Sequence, residues 1–213
     1  MKSNWQYLAI EGNIGAGKTT LASAISRDFQ YNLILETFAT NPFLPKFYEK
    51  PDQYAFPLEL SFLAERYHQL KKLLSVPDLF RPRFVSDYSI LKSLIFARIN
   101  LKDAEYDLFY QLFHIMNESL PQPDYFFYLH SETSRLHQNI HIRGREYEKN
   151  IAGEYLHAIQ KGYLHSLKNM QHATVVVFEV TRVDFVNSPS QYQQIVKYLN
   201  EKPPPGMHFV EIA

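Results

Sequence analysis

A glycine-rich stretch near the start of the chain has the composition and spacing of a phosphate-binding loop. It reads Gly12-Asn13-Ile14-Gly15-Ala16-Gly17-Lys18-Thr19-Thr20 and fits the pattern G-x-x-x-x-G-K-[ST] without a mismatch. The glycines let the backbone wrap closely, so that successive N–H groups point at a phosphate. The Lys18 ammonium can reach the β- and γ-phosphates, and the Thr19 hydroxyl suits Mg²⁺. We therefore predict that this loop binds the phosphates of a nucleoside triphosphate such as ATP.

The segments on either side of the loop support this interpretation. Residues 5–10 read as a short, mostly apolar strand, and residues 20–26 place Leu21, Ala22 and Ile25 at helical spacing. The loop would then end at a helix N-terminus, where partial positive charge accumulates. The alternative is a glycine-rich turn that binds nothing, and the presence of both Lys18 and Thr19 disfavours it.

Composition limits the possible partners. The chain has 213 residues, enough for one large α/β domain, and its 22 basic and 22 acidic residues cancel. Such a balance gives no bulk attraction to nucleic acid or to an anionic membrane, and we expect neither as a partner. The chain lacks cysteine, has no long apolar run and enters a strand almost at once. We therefore expect a cytoplasmic protein.

Short apolar runs recur between helical segments and predict a parallel sheet. Five runs are continuous rather than alternating, as expected for strands that are covered on both faces: residues 7–10, 33–35, 84–86, 125–129 and 175–180. The intervening helical patterns imply crossover connections and a three-layer α/β fold with helices on both faces. We assign residues 1–202 to this domain. Residues 203–213 begin with a proline-rich stop and would form either a tail or an edge strand.

Three further groups would complete a site for phosphoryl transfer. In a parallel sheet ligands bind at the carboxyl ends of the strands, where Glu36 and Asp87 are predicted to lie. Glu36 is the natural base for an acceptor hydroxyl, and Asp87 could hold Mg²⁺ with Thr19. Arg143 and Arg145 flank a glycine in a charged segment, residues 131–148, which we interpret as a mobile lid. The alternatives are an exposed acid for Glu36, an N-cap for Asp87 and a solvated basic loop for the arginines.

These features, taken in order, resemble the deoxynucleoside kinase family and especially its bacterial deoxyadenosine and deoxyguanosine kinases. The resemblance covers nearly the whole chain. The matching segments are the Gly12–Thr20 loop, Glu36 with Asn41-Pro42 and Phe47-Tyr48, Tyr54-Ala55-Phe56-Pro57-Leu58, Asp87 with Ser89, Ile142-Arg143-Gly144-Arg145 with Glu148, and Asp184-Phe185. The resemblance implies a P-loop kinase fold with five parallel strands and an arginine-rich lid. It also implies an enzyme of nucleotide salvage that is usually a homodimer and uses ATP and Mg²⁺.

The resemblance also implies roles for individual residues. Glu36 matches the catalytic glutamate that accepts the proton of the sugar 5′-hydroxyl, and Asp87 matches an acidic residue near Mg²⁺ and the 5′-oxygen. Tyr48 and Glu148 match the pair that binds the 3′-hydroxyl of the deoxyribose. The implied donor contacts come from the lid arginines, on the phosphates, and from Asp184 and Phe185, against the adenine.

Two positions depart from the family pattern. Tyr88 stands where the family has an arginine close to the transferring phosphate, a loss that can cost several kcal/mol of transition-state stabilisation. Arg83, Lys92, Arg98 and a lid arginine are candidate replacements. Glu59 stands where the family usually has a base-reading glutamine. An ionised carboxylate only accepts hydrogen bonds, so Glu59 favours a base edge with two donors, such as that of guanine. A nearby arginine or a protonated Glu59 would remove this preference. A further alternative is that Glu59 faces another helix and contacts no base.

The sequence thus predicts ATP-dependent phosphorylation of the 5′-hydroxyl of a deoxynucleoside, with a purine and a guanine-type base favoured. Two other functions remain open at this point. The first is a P-loop kinase for a different small acceptor. The second is a nucleotide-binding module whose transfer activity is weakened because Tyr88 replaces the arginine.

Overall fold

A parallel β-sheet forms the centre of the fold in a computed structural model of the chain, which describes residues 5–37, 41–74, 82–170, 172–201 and 203–213. Its strands are β1 (Tyr7–Gly12), β2 (Asn32–Ile34), β3 (Phe84–Ser86), β4 (Tyr125–His130), β5 (Thr174–Glu179) and β6 (Gly206–Glu211). Their order across the sheet is β2-β3-β1-β4-β5-β6, and every pair is parallel. The carboxyl ends of all strands therefore meet at one edge.

Helices connect the strands and cover both faces of the sheet. They are α1 (Lys18–Phe29), α2 (Leu44–Glu49), α3 (Pro51–Leu74), α4 (Leu91–Asn100), α5 (Asp103–Asn117), α6 (Thr133–Arg143), α7 (Gly153–Lys168) and α8 (Pro189–Val196). Short 3₁₀ turns follow at Glu146–Glu148 and Lys197–Leu199. Leu101 and Lys102 separate α4 from α5, and Pro57 lies inside α3.

The core explains why the strands read as continuous apolar runs. Every residue of β1 is buried, and its side chains alternate between two faces. Leu8 and Ile10 pack with Leu21 of α1 on one face, whereas Ala9 packs with Ile159 of α7 on the other. A strand that is covered on both sides needs apolar residues at every position, which removes the alternating pattern.

The predicted three-layer α/β class is confirmed, but the predicted number of five strands is wrong because the described residues form six. The additional strand is β6, from the segment for which the sequence left a tail or an edge strand open. It pairs in parallel with β5, and its side chains alternate: Met207 packs on one face of the sheet and Val210 on the other. The expected domain boundary at residue 202 lies outside the described residues.

The predicted lid segment, residues 131–148, divides into two parts. Its first part is α6, whose Leu136 and Ile140 are buried against the core. Asn139 Nδ2 also donates to the Gly15 carbonyl at 2.8 Å, which fixes this helix to the phosphate loop. The second part, residues 144–148, is joined to the end of α6 because Glu148 pairs with Arg143, and Glu148 also pairs with Arg145.

Among the described residues, no helix combines the length and apolarity that a membrane crossing would require.

Candidate active site

The phosphate loop turns from β1 into α1 with the backbone that its glycines allow. Gly15 and Gly17 adopt φ values of +83° and +90°, in the left-handed region that favours glycine. A Cβ on Gly15 would lie 2.8 Å from the Leu136 carbonyl oxygen, so the close approach of α6 also requires a glycine there. Asn13 anchors the loop through a 2.7 Å hydrogen bond from Nδ2 to the Leu156 carbonyl.

Lys18 begins α1 and its ammonium lies under the loop. Nζ donates to the Asn13 carbonyl at 2.8 Å. Burial, together with the neighbouring Lys92 ammonium, lowers the pKa of Lys18 from its usual 10.5 to about 8, against the opposing effect of nearby carboxylates. A buried ammonium with lowered pKa is poised to gain from an anionic ligand, since triphosphate oxygens would restore the preference for the charged form.

Glu36 follows β2 and carries two cations on its nearly buried carboxylate. Arg66 of α3 donates to Oε1 from Nε at 2.9 Å and from Nη2 at 2.6 Å. Lys92 of α4 donates to Oε2 at 2.5 Å. Burial alone would raise the pKa of Glu36, but Lys92 and Arg66 outweigh it and lower that pKa from 4.5 to about 2. The carboxylate is therefore ionised across the physiological range.

Asp87 links β3 to the loop and to Glu36. Its Oδ2 accepts a 2.5 Å hydrogen bond from the Thr19 hydroxyl, and its Oδ1 accepts a 2.8 Å bond from the Glu36 backbone N–H. The predicted metal pair, Thr19 and Asp87, is thus brought together. A hydroxyl and a carboxylate are oxygen ligands of the kind that Mg²⁺ takes alongside substrate phosphates, so this donor set fits that ion.

Glu59 lines a cavity together with Lys18, Thr19 and Glu36. Its Oε1 accepts a 2.6 Å hydrogen bond from Asn100 Nδ2 of α4, while Oε2 is buried without a hydrogen-bond partner among the described residues. Burial raises the pKa of Glu59 from 4.5 to about 7, although Arg66 and Asn100 oppose the shift. Glu59 thus contacts a neighbouring helix through Asn100 and also lines the cavity, and its contact with a base stays a prediction.

Tyr48 and Glu148 close the cavity from the side of the lid. The Tyr48 ring stacks on Tyr147 with centroids 5.8 Å apart, and burial raises the pKa of its hydroxyl. Glu148 is buried and receives both lid arginines, Arg143 on Oε2 and Arg145 on Oε1. The structure therefore brings together the residues predicted for the sugar and those predicted for the donor phosphates.

Asp184 and Phe185 lie on the opposite side of the loop, after β5. Phe185 packs over the loop so closely that a Cβ on Gly17 would lie 3.1 Å from its ring. Asp184 holds its own turn by accepting bonds from the Asn187 backbone at 3.1 Å and side chain at 2.9 Å. Both residues line an open groove with Arg135 of α6 and the phosphate loop, on the side where the donor base is expected.

Tyr88 does not occupy the place of a cation. Its side chain is fully buried in the apolar cluster under α3, and its hydroxyl donates to Gln69 Oε1 at 2.5 Å. Of the proposed replacements, Lys92 reaches Glu36, whereas Arg83 stacks on Trp5. Arg98 is 63% exposed and lies 3.8 Å from Asp103.

Sequence reasoning missed Arg66 and Asn100. Arg66 donates to Glu36, and Asn100 donates to Glu59. Glu11 is also buried near the loop, and its Oε1 accepts both the N–H and the hydroxyl of Ser89. One signal was present for Arg66: it lies seven residues after Glu59, two helical turns along, on the face that also carries buried Leu63. A charge on an apolar helix face indicates a buried partner.

The sheet order, the phosphate loop at its carboxyl edge and the carboxylate opposite that loop define a P-loop kinase for a small acceptor. The profile described as deoxynucleoside kinase matches residues 8–202. The chain belongs to the deoxynucleoside kinase family, and its activity is the ATP-dependent phosphorylation of a deoxynucleoside.

Relatives and solved structures agree with this assignment. The chain is 34% identical to a deoxyguanosine kinase of Bacillus subtilis (strain 168) over 92% of this chain and 96% of that protein. It is 28% identical to a deoxyadenosine kinase of Dictyostelium discoideum, covering 93% and 84% of the two chains. The structure of a deoxyadenosine kinase from M. mycoides with bound dCTP superposes with a TM-score of 0.79 at 25% identity, covering 92% of this chain and all of that one.

Proposed function

We propose that the acceptor is a purine deoxynucleoside, with deoxyguanosine preferred, and that Glu36 accepts the proton of its 5′-hydroxyl. The observation that supports this most directly is that Lys18, Thr19 and Glu36 line the same cavity as Tyr48 and Glu59. A nucleoside spanning that cavity has its 5′-carbon near the phosphate loop and its base near Glu59.

Glu59 and Asn100 support the preference for guanine. Oε2 of Glu59 is buried without a partner among the described residues, and in the ionised form of the carboxyl, which prevails above a pKa of about 7, it accepts a hydrogen bond from a donor on the base. The Watson–Crick edge of guanine offers N1–H and N2–H donors side by side, whereas that of adenine offers one donor and one acceptor. The names of the relatives, which include deoxyguanosine and deoxyadenosine kinases, are consistent with a purine.

The same reasoning assigns residues to the phosphate donor, ATP. Lys18 and the loop N–H groups bind the triphosphate, Arg143 and Arg145 cover it, and Asp184 and Phe185 border the groove for adenine. Thr19 and Asp87 hold Mg²⁺, which neutralises phosphate charge when bound. Glu148 and Tyr48 bind the 3′-hydroxyl of the deoxyribose.

A nucleoside panel tests the base preference. Purified protein with Mg-ATP is mixed with each of the four deoxynucleosides, and ADP release is measured. We expect kcat/KM for deoxyguanosine to exceed that for deoxycytidine by at least about 10-fold, the worth of one buried hydrogen bond. Equal turnover of these two substrates would refute the role of Glu59. ATP binding without substrate-stimulated ADP release would instead support a binding module.

We also propose a cytoplasmic homodimer. Leu108 and Ile115 lie two turns apart on α5 and are 50% and 70% exposed, an apolar pair that a second copy could cover. Light scattering should give twice the chain mass of 25.1 kDa. A monomer mass at micromolar concentration would contradict this proposal.

A further inference from the structure

The buried Lys92 side chain lies beside the carboxylate of Glu36, the residue proposed to accept the proton of the acceptor hydroxyl. Lys92 Nζ lies 2.5 Å from Glu36 Oε2, and its side chain is only 11% exposed. It lines the same cavity as Lys18, Thr19 and Asp87. Lys92 is thus a second cation on Glu36, beside Arg66.

The hydrogen bonds of Glu36 determine where an acceptor hydroxyl can dock. Oε1 accepts two bonds from Arg66, which together use both of its lone pairs. Oε2 accepts one bond from Lys92, and its second lone pair has no other donor among the described residues. A hydroxyl that donates to Glu36 therefore docks on Oε2, directly beside the Lys92 ammonium.

Arg66 and Lys92 differ in how firmly they are held. The Arg66 guanidinium makes two bonds to Glu36 and a third, at 2.7 Å, to the Ser93 hydroxyl, so it is fixed on three sides. The Lys92 ammonium makes one bond to Glu36 and lies 5.5 Å from the Phe96 ring centroid. An ammonium has three N–H donors, so Lys92 retains donors for an oxygen that arrives with the substrates.

We propose that Lys92 is a catalytic residue that donates to a γ-phosphoryl oxygen during transfer. The acceptor oxygen, docked on Glu36 Oε2, forms a bond to the γ-phosphorus. The bond from that phosphorus to the β,γ-bridging oxygen breaks, and its electron pair stays on ADP. The hydroxyl proton passes to Glu36. Negative charge spreads over the phosphoryl oxygens in this step, which a cation one contact away stabilises.

The inference rests on the proposed role of Glu36. A double-mutant cycle distinguishes the effect of Lys92 from that of Glu36. Lys92→Met is measured alone and in a Glu36→Gln background, with kcat and both KM values determined. We expect Lys92→Met to lower kcat by about 100-fold or more while the KM for ATP changes by less than about 3-fold. In the Glu36→Gln background it should still lower kcat by about 10-fold or more, because the lysine acts on the phosphoryl group itself.

Two further variants control this cycle. Lys92→Arg keeps the charge and should recover kcat to within about 10-fold of the original chain. Lys161→Met removes an exposed lysine of α7 and should leave kcat unchanged. If Lys92→Met folds poorly, comparing Glu36→Gln with Glu36→Gln/Lys92→Met still tests the lysine, because the double variant removes both partners of the ion pair.

Three results would each contradict either the role of Lys92 or the role of Glu36. If Lys92→Met keeps kcat within about 3-fold, the lysine is not catalytic. If it loses activity only when Glu36 is present, Lys92 merely positions Glu36. If Glu36→Gln retains full kcat, the role of Glu36 is wrong, while the effect of Lys92→Met in that background still reports on the lysine.

Discussion

Arg145 Nη1 lies 3.2 Å from Oε1 of Glu148, a buried carboxylate that also receives Arg143. The two cations of the lid are thus held by the residue proposed to bind the sugar 3′-hydroxyl. A deoxynucleoside that engages Glu148 competes with these arginines for its oxygens. We therefore expect acceptor binding to be coupled, through this one carboxylate, to the release of the arginines toward the donor phosphates.

Glu148→Gln should separate the two substrates. The amide keeps the shape but loses the charge, so we expect the KM for the deoxynucleoside to rise about 10-fold, as for the loss of a charge-assisted hydrogen bond. The Kd for ATP should not rise, because the arginines are no longer held by a full negative charge. Initial rates and ATP titrations measure both. Glu146→Gln, whose carboxylate pairs with Lys149 at the surface, is the control. Equal weakening of both substrates would contradict the coupling.

Tyr88→Arg, which would restore the residue type of the family, should destabilise the protein. The Tyr88 side chain is fully buried in the apolar cluster under α3, so an arginine there places a larger, charged group in a site that an aromatic ring now fills. We expect the free energy of unfolding to fall by about 3 kcal/mol or more, without a gain in kcat. Tyr88→Phe loses the bond to Gln69 alone and should cost about 1 kcal/mol. Denaturant unfolding measures both, and a stable, faster Tyr88→Arg enzyme would refute this account.

The sequence predicted the parts of the site that local patterns encode. The loop, the strand ends at Glu36 and Asp87, and the lid arginines follow from motifs within short segments. Arg66 could not be assigned in this way, because its partner Glu36 lies 30 residues earlier and the two meet only when α3 packs over the end of β2. Asn100 reaches Glu59 from another helix for the same reason. Pairings of this kind depend on how helices pack, which residue spacing within one segment does not specify.

Asp87→Asn should weaken the binding of Mg²⁺ without disturbing the backbone. The amide oxygen can still accept from the Glu36 N–H, but the negative charge next to the Thr19 hydroxyl is lost. We expect the Mg²⁺ concentration for half-maximal rate to rise by about 10-fold, as for the loss of one charged ligand. The stabilisation of the protein by Mg-ATP in thermal unfolding should fall in parallel. Asp107→Asn on exposed α5 is the control, and an unchanged Mg²⁺ titration would show that Asp87 does not hold the ion.

Glu59 should make the stability of the free protein depend on pH. Its pKa is about 7 in the folded chain and about 4.5 when exposed, so the folded state holds a proton that the unfolded state releases between these values. The contribution of Glu59 to stability is therefore fully present below pH 4.5 and is lost as pH rises toward 7, by roughly 3 kcal/mol in total. The side chain of the Glu59→Gln variant cannot titrate. Its free energy of unfolding, relative to that of the original chain, should therefore rise between pH 4.5 and 7 and stay constant above pH 7. Denaturant unfolding from pH 4.5 to 8 measures the difference, with exposed Glu49→Gln as the control. Parallel pH profiles for Glu59→Gln and the original chain would show that the Glu59 carboxyl is not held in its neutral form.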